Sequence, residues 1–290
     1  NVTKIPVAFS YQATPKLVLG VSLNVYRANL AIAPLPYQQY NDVATTTPVA
    51  PAGTRFYLEG GKMVGQFAAA AQFGVYYKAS DMVSFGASVT TPQNYAPFEW
   101  NSSVPDPTSP LYGDHVLLTY DLDGPMIASF GTGLKPNEKL SIAIDGTWTK
   151  YKGVSGFGSQ GGVHDGNVFP FGWRNIGAFK AGVRYQATPK ANVRIGYAFT
   201  QMPLQSKNVL TATGAPATFQ NHVTGGVGIQ IFPFLTAEAS FYYVPREHLV
   251  GPYLVDQVAA GVLNPDPTKG GTMDTSNQLT SALIGLNFRF

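Results

Sequence analysis

The chain has 290 residues, no cysteine and a formal charge of only +3. Charged residues make up 12% of it, against roughly 25% in soluble domains, while Gly (31), Phe (18) and Tyr (16) are abundant. These values exclude a disulfide scaffold, a thiolate metal site and a basic stripe for nucleic acid, and no run approaches the ~18 consecutive apolar residues of a spanning helix.

Even the most apolar stretch, around Phe67 to Tyr77, is interrupted by Gln72. A membrane protein of this kind must be a closed β-barrel, because a bilayer leaves no other partner for strand backbone groups.

Taken in chain order, period-two alternation predicts eleven strands, near 4–13, 17–30, 63–79, 82–91, 114–135, 138–151, 174–187, 190–200, 219–232, 234–246 and 275–290. Leu19, Val21, Leu23 and Val25 alternate with Gly20, Ser22 and Asn24; Leu140, Ile142, Ile144 and Trp148 alternate with Ser141, Ala143, Asp145 and Thr147. Val193, Ile195, Tyr197 and Phe199 alternate with Asn192, Arg194, Gly196 and Ala198. A soluble sandwich would show the same alternation with its apolar face turned inward.

Three features favour a membrane wall. The segments run to about ten to fourteen residues and in one case near twenty, longer than the ~5–6 of soluble strands and suited to tilted spans of ~9–11. Tight turns (13–16, 80–81, 136–138, 187–190 and Pro233) alternate with long loops near 31–61, 92–113, 152–173, 201–218 and 247–274, the asymmetry of outer-membrane barrels. The end of the chain, Ile284, Leu286, Phe288 and Phe290 alternating with Gly285, Asn287 and Arg289, looks like the recognition signal on the last strand of such barrels.

The segment 114–135 is read whole, although Asp121-Leu122-Asp123-Gly124-Pro125 could divide it, because a turn there would place two short connections in succession. The hexapeptide Tyr-Gln-Ala-Thr-Pro-Lys, at 11–16 and again at 185–190, reads as a repeated hairpin turn rather than a solenoid. A periplasmic C-terminus and eleven strands would start the chain outside the cell, so the leader and at least one earlier strand are expected to lie outside this sequence.

Several motifs carry less. Gly156-Phe-Gly158-Ser-Gln-Gly161 matches a dinucleotide string but lies in a glycine-rich loop with no helix after it. His115, His164, His222 and His248 have no metal-ligand spacing. A barrel phospholipase would need a serine and a histidine on the outer wall, whereas alternation turns His115 and His222 inward. Neither enzymatic chemistry nor a cofactor is expected. Lys78, Lys180, Arg184 and Arg194 also alternate inward, either to meet a ligand carboxylate or to pair with Asp121, Asp123, Asp145 and Glu238.

The residues resemble the FadL/TodX family of outer-membrane transporters for long-chain fatty acids and aromatic hydrocarbons. The resemblance is carried by Asp145-Gly-Thr-Trp148, by Gly182-Val-Arg-Tyr185, and by Val193-Arg194-Ile-Gly196-Tyr197 with Pro203. Pro6-Val-Ala8 leading to Leu19-Gly20, and Gly74-Val-Tyr76 leading to Phe85-Gly86, are similar to its earlier hairpins. It implies an all-β transmembrane antiparallel barrel of fourteen strands with an N-terminal hatch, of which these eleven would be the fourth to the last. The hatch signature Asn-Pro-Ala is not matched by Asn264-Pro265-Asp266.

The resemblance also implies that loops 31–61 and 92–113 form an apolar capture groove. Leu35, Pro36, Tyr37 and Tyr40 in the first, with Tyr95, Pro97, Phe98 and Trp100 in the second, are apolar for loops in water. Two plainer readings stand beside capture: an interfacial aromatic girdle, or packing of the loops on one another. The expected function is a passive channel for a hydrophobic small molecule, embedded in outer-membrane lipid or lipopolysaccharide; the alternative is a general aqueous porin or an adhesion barrel.

Overall fold

The computed structural model describes residues 1–32, 39–40, 56–57, 60–104, 107, 110–158, 162–164, 167–169, 171–209, 216–253 and 271–288. In chain order the strands are β1 (Val2–Thr14), β2 (Leu17–Ile32), β3 (Gln39–Tyr40), β4 (Phe56–Tyr57), β5 (Gly60–Lys78), β6 (Val83–Thr90), β7 (Phe98–Ser103), β8 (His115–Tyr120) and β9 (Met126–Asn137). There follow β10 (Leu140–Lys150), β11 (Gly162–His164), β12 (Asn167–Phe169), β13 (Ile176–Thr188), β14 (Ala191–Thr200), β15 (Asn221–Phe232), β16 (Leu235–Pro252) and β17 (Thr272–Phe288).

Eleven strands form one antiparallel sheet in the order β1-β2-β5-β6-β9-β10-β13-β14-β15-β16-β17, with β1 and β17 at its two edges. Three small hairpins, β3–β4, β7–β8 and β11–β12, belong to the long loops. The wall count therefore agrees with the alternation, but the segment 114–135 does not run whole. It breaks at Asp121–Pro125, where Gln93 and Gly124 form an isolated bridge. The first half, β8, pairs with β7 inside the preceding long loop and never joins the wall. Loop asymmetry survives because this extra turn lies on the long-loop side.

Four of the five short turns share one device. Thr14 Oγ1 accepts from the amides of Lys16 and Leu17 (3.2 and 3.0 Å), and Thr188 Oγ1 accepts from those of Lys190 and Ala191 (3.3 and 3.0 Å). Ser80 Oγ and Asn137 Oδ1 do the same for Met82 and Val83 and for Lys139 and Leu140. A short side chain thus satisfies turn amides that no strand could reach. The two hexapeptides share a further detail, a register shift at Gln12/Thr14 and at Gln186/Thr188.

The sheet curves around a cavity of about 1180 Å³ that touches residues from β5, β6, β9, β10 and β13 through β17, among them Tyr76, Ser84, Asp145, Lys180, Arg194, Thr224, Glu238 and Gly285. The polar alternation therefore faces the concave side. On the convex side Phe67 (60%), Phe73 (54%), Trp148 (40%), Ile195 (64%) and Phe288 (50%) are exposed, and Ile142 is partly so. Among the described residues no second sheet covers them. A row of bare Phe, Ile and Leu on a sheet with a polar inner face requires hydrocarbon as its solvent.

Inward glycines make room for flat polar side chains. A Cβ on Gly131 would overlap the Asp145 carboxylate, and one on Gly196 would stand 2.6 Å from Thr224 Oγ1. Replacing either would drive the neighbouring polar group away from the wall and into the lumen.

Candidate functional site: the roofed mouth and the charged lumen

The long-loop end of the barrel is roofed by two aromatic clusters. In the first, the β7–β8 hairpin lays Phe98, Trp100, Leu118 and Tyr120 against Ala28 of β2, with Leu30, Val64, Tyr95, Val116 and Leu122 around them. Alternation fixes this face: Phe98 is paired with Tyr120 and Trp100 with Leu118, so all four project to one side of the hairpin. Ala28 belongs to the inward row of β2 and is paired with Gln66 of β5, which places the hairpin on the concave side of the wall, across the mouth.

Polar bonds pin the hairpin. Trp100 Nε1 donates to the Lys62 carbonyl (2.7 Å), and Gln66 Nε2 donates to the Pro97 carbonyl (2.7 Å). At its base the Gln93 and Gly124 amides exchange hydrogen bonds of 3.0 and 2.7 Å, and Tyr95 N donates to Asp123 Oδ1. The hairpin tip closes at Gly113, whose φ of +82° favours glycine.

The second cluster joins Trp173, Met202 and Leu204 to Tyr151, Phe157, Phe171, Ala217 and Leu249. Tyr151 meets Trp173 edge-on at 4.9 Å, and Phe157 lies 4.7 Å from Trp173. The first two glycines of the dinucleotide-like string fall here and have a packing explanation, while its last three residues lie outside the described residues. Gly156 has φ +76°, and a Cβ on Gly158 would overlap the Tyr151 carbonyl. Burial pushes the phenols of Tyr95, Tyr120 and Tyr151 above their usual range, so all three rings are neutral.

Of the capture residues expected from sequence, Leu35, Pro36 and Tyr37 lie outside the described residues. The backbone of Tyr40 pairs with Phe56 in β3–β4. Tyr95, Phe98 and Trp100 come together, with ring centroids 6.2 Å apart for Tyr95 and Phe98 and 6.4 Å for Phe98 and Trp100. Phe98 (0%) and Trp100 (2%) are fully covered by the wall and the partner strand. Sequence reasoning missed their partners Leu118, Tyr120 and Leu122, having assigned them to a wall strand. It also passed over the second cluster, for which the aromatic density of Tyr151, Phe157, Phe171 and Trp173 was the available signal.

The lumen candidates Lys180, Arg184 and Arg194 all line the cavity. Arg194 forms an ion pair with Glu238 (2.8 Å) and also donates to Asn192 Oδ1 (2.9 Å). Arg184 donates to Gln186 Oε1 at 3.4 Å. Lys180 is cross-strand from Asp145, yet no carboxylate lies within ion-pair distance of it among the described residues. Lys78 pairs instead with Asp81 at the short turn (2.6 Å). His222 Nδ1 and Tyr242 Oη share a 2.5 Å hydrogen bond on the same inner wall. His115 bonds to Asn101 and His248 to Asp274, while the His164 side chain lies outside the described residues.

Solved structures with the same fold include a Pseudomonas aeruginosa FadL homologue (TM-score 0.64, 15% identity, covering 98% of this chain and 66% of that one) and the Pseudomonas putida toluene transporter TodX (0.60, 18%, 100% and 69%). The Ralstonia pickettii toluene transporter TbuX also matches (0.58, 15%, 99% and 67%), so the chain spans about two thirds of these proteins' length. No curated protein matches it in sequence. The model of the outer membrane protein transport protein family (OMPP1/FadL/TodX) matches residues 1–250, and with an apolar outer wall, a polar lumen and a roofed mouth, the chain belongs to that outer-membrane family.

Proposed function

We propose that this chain forms the wall and mouth of a channel for passive uptake of hydrophobic small molecules, fatty acids or aromatic hydrocarbons, captured by the apolar extracellular loops. The observation that carries the reading is the pair of aromatic clusters built by loop residues over a polar lumen. Burying apolar area at roughly 25 cal/mol per Å² draws such a molecule from water, and a more polar interior favours its onward release.

Capture would be made by Tyr95 together with Leu35, Pro36, Tyr37 and Tyr40, with Phe98 and Trp100 buried beneath them as the packing that holds this mouth in place, and the molecule would then pass Lys180, Arg184 and Arg194. No covalent chemistry and no cofactor enter this reading. The surrounding partner is outer-membrane lipid or lipopolysaccharide.

Uptake of radiolabelled toluene and of a long-chain fatty acid in intact cells tests it. The triple replacement of Tyr37, Phe98 and Trp100 by serine is expected to slow uptake at limiting substrate while the heat-modifiable gel shift of the barrel persists. Uptake at the wild-type rate removes the loops as the capture site. Passage of small hydrophilic solutes as fast as apolar ones replaces this reading with an aqueous porin.

A further inference from the structure

The convex side of the wall is not uniformly studded with large side chains. Between β5 and β13 it carries a dent of about 670 Å³, lined by Phe73, Val75, Ala87, Val89, Ala128, Phe130, Gly146 and Trp148. The register shows how it arises. One cross-strand row reads Phe73, Val89, Ala128, Trp148, and the next reads Val75, Ala87, Phe130, Gly146. Ala87, Ala128 and Gly146 form a low floor. Phe73 and Trp148 stand at the sides, and Phe130 is stacked on Phe85 at 6.5 Å. Ser88, Ser129 and Thr147 contribute backbone only, since alternation aims their side chains at the lumen, where Ser129 and Thr147 meet at 3.4 Å.

The volume lies within the ~300–1,000 Å³ of small-molecule clefts. Apart from the indole N–H of Trp148 its lining offers no outward polar side chain, so the occupant must be essentially apolar where it lies in the dent. The floor residues stand about six to ten residues above the short turns, which at ~3.3 Å per residue and ~40° of tilt is roughly 15–25 Å. That is the outer half of an apolar band ~25 Å tall. Lys150, exposed and two residues beyond Trp148 on the same face of β10, reaches roughly 28 Å by the same reckoning, at headgroup level.

We propose that this dent is a lipid site, seating one acyl chain of an outer-leaflet lipid whose net anionic headgroup is met by Lys150. The dent is continuous with the lipid-facing wall, and a cation stands where the headgroup of a chain lying in it would emerge. A flexible linear chain can fill a shallow dent of this kind, whereas a second copy of the flat wall would bridge over it. The inference concerns the outer surface and is independent of which molecule the lumen carries.

Native mass spectrometry of the full-length protein released from dimyristoyl phosphatidylglycerol nanodiscs tests it, with dimyristoyl phosphatidylcholine discs as the zwitterionic comparison. Gly146→Leu fills the floor, and a Cβ there meets no heavy atom within 4 Å. Gly225→Leu, equally open and also outward, is the control elsewhere on the wall. The expected result is one retained phosphatidylglycerol on the wild-type protein and on Gly225→Leu, with at least a tenfold loss in Gly146→Leu. Lys150→Ala is expected to abolish the preference for phosphatidylglycerol over phosphatidylcholine.

Ala128→Leu fills the same floor from the neighbouring strand and reads the site if Gly146→Leu fails to assemble. Equal retention by the floor-filling variants and the wild type overturns the proposal. So does a wild-type protein that retains no lipid, or one that retains both lipids equally.

Discussion

Trp100 offers the sharpest test of how the mouth is held. Its indole is 2% exposed, and its Nε1 donates to the Lys62 carbonyl at 2.7 Å. Burying ~200 Å² of aromatic surface at about 25 cal/mol per Å² is worth up to ~5 kcal/mol, and truncation of buried Trp to Ala commonly costs about 3–5 kcal/mol. The wall is a separate hydrogen-bonded sheet, so the loss in Trp100→Ala falls on the hairpin's docking and not on the barrel. At about 1.4 kcal/mol per decade the undocked fraction rises by roughly two to three and a half orders of magnitude.

Trp100→Phe keeps most of the area and loses one hydrogen bond, about 0.5–1.5 kcal/mol, or up to roughly tenfold. Limited proteolysis at the hairpin tip of folded, detergent-solubilised protein measures the difference. The order Trp100→Ala, then Trp100→Phe, then wild type is expected in cleavage rate, with the heat-modifiable gel shift intact in all three. Equal cleavage of all three would show that the hairpin is held by its Gln93–Gly124 base alone and would refute the packing argument.

Replacing Thr188 by Ala strips the acceptor from two turn amides, and Thr14→Ala does the same in the other hexapeptide; each is expected to cost about 1 kcal/mol, read as a lower urea midpoint of barrel unfolding. Because the two turns lie at opposite parts of the sheet, the double variant should lose the sum of the two single losses. Gly158→Ala drives a methyl into the Tyr151 carbonyl and should loosen the second cluster by about 1–3 kcal/mol, seen as a red shift of Trp173 emission in a protein whose other two tryptophans are replaced by Phe. Lys180→Ala with Arg184→Ala should leave toluene uptake unchanged; a selective fall in fatty-acid uptake would assign these cations to the carboxylate.

The wall was legible because alternation reports which face each side chain takes, and lipid on one side with polar contents on the other makes that report unambiguous. Leu140 to Trp148 and Val193 to Phe199 each read as one strand and each is one strand. The loop hairpin was not legible from the same code. His115 to Tyr120 alternates like a wall strand, since a hairpin with one buried face obeys the same period. What separates them is the partner across the chain, Phe98 to Ser103, and pairing is a non-local property that a local pattern does not carry. The lumen was half legible: alternation turned Lys180, Arg184 and Arg194 inward, but only the fold shows that, among the described residues, Arg194 is the one of the three that reaches a carboxylate. The outward dent could not be read at all, because Ala87, Ala128 and Gly146 become neighbours only through cross-strand register.

The short turns carry a consequence for how the mouth can change. Four of the five are closed by a side-chain oxygen, of Thr14, Ser80, Asn137 or Thr188, that accepts from the amides two and three residues on, so their strand register is set at the periplasmic end without reference to the far loops. Insertions, deletions or wholesale exchange of loop sequence at the opposite end leave that register untouched. A library that randomises 97–122 on this scaffold would therefore sample new entrances on an unchanged wall, and selection for growth on different hydrocarbons could act on the roof alone.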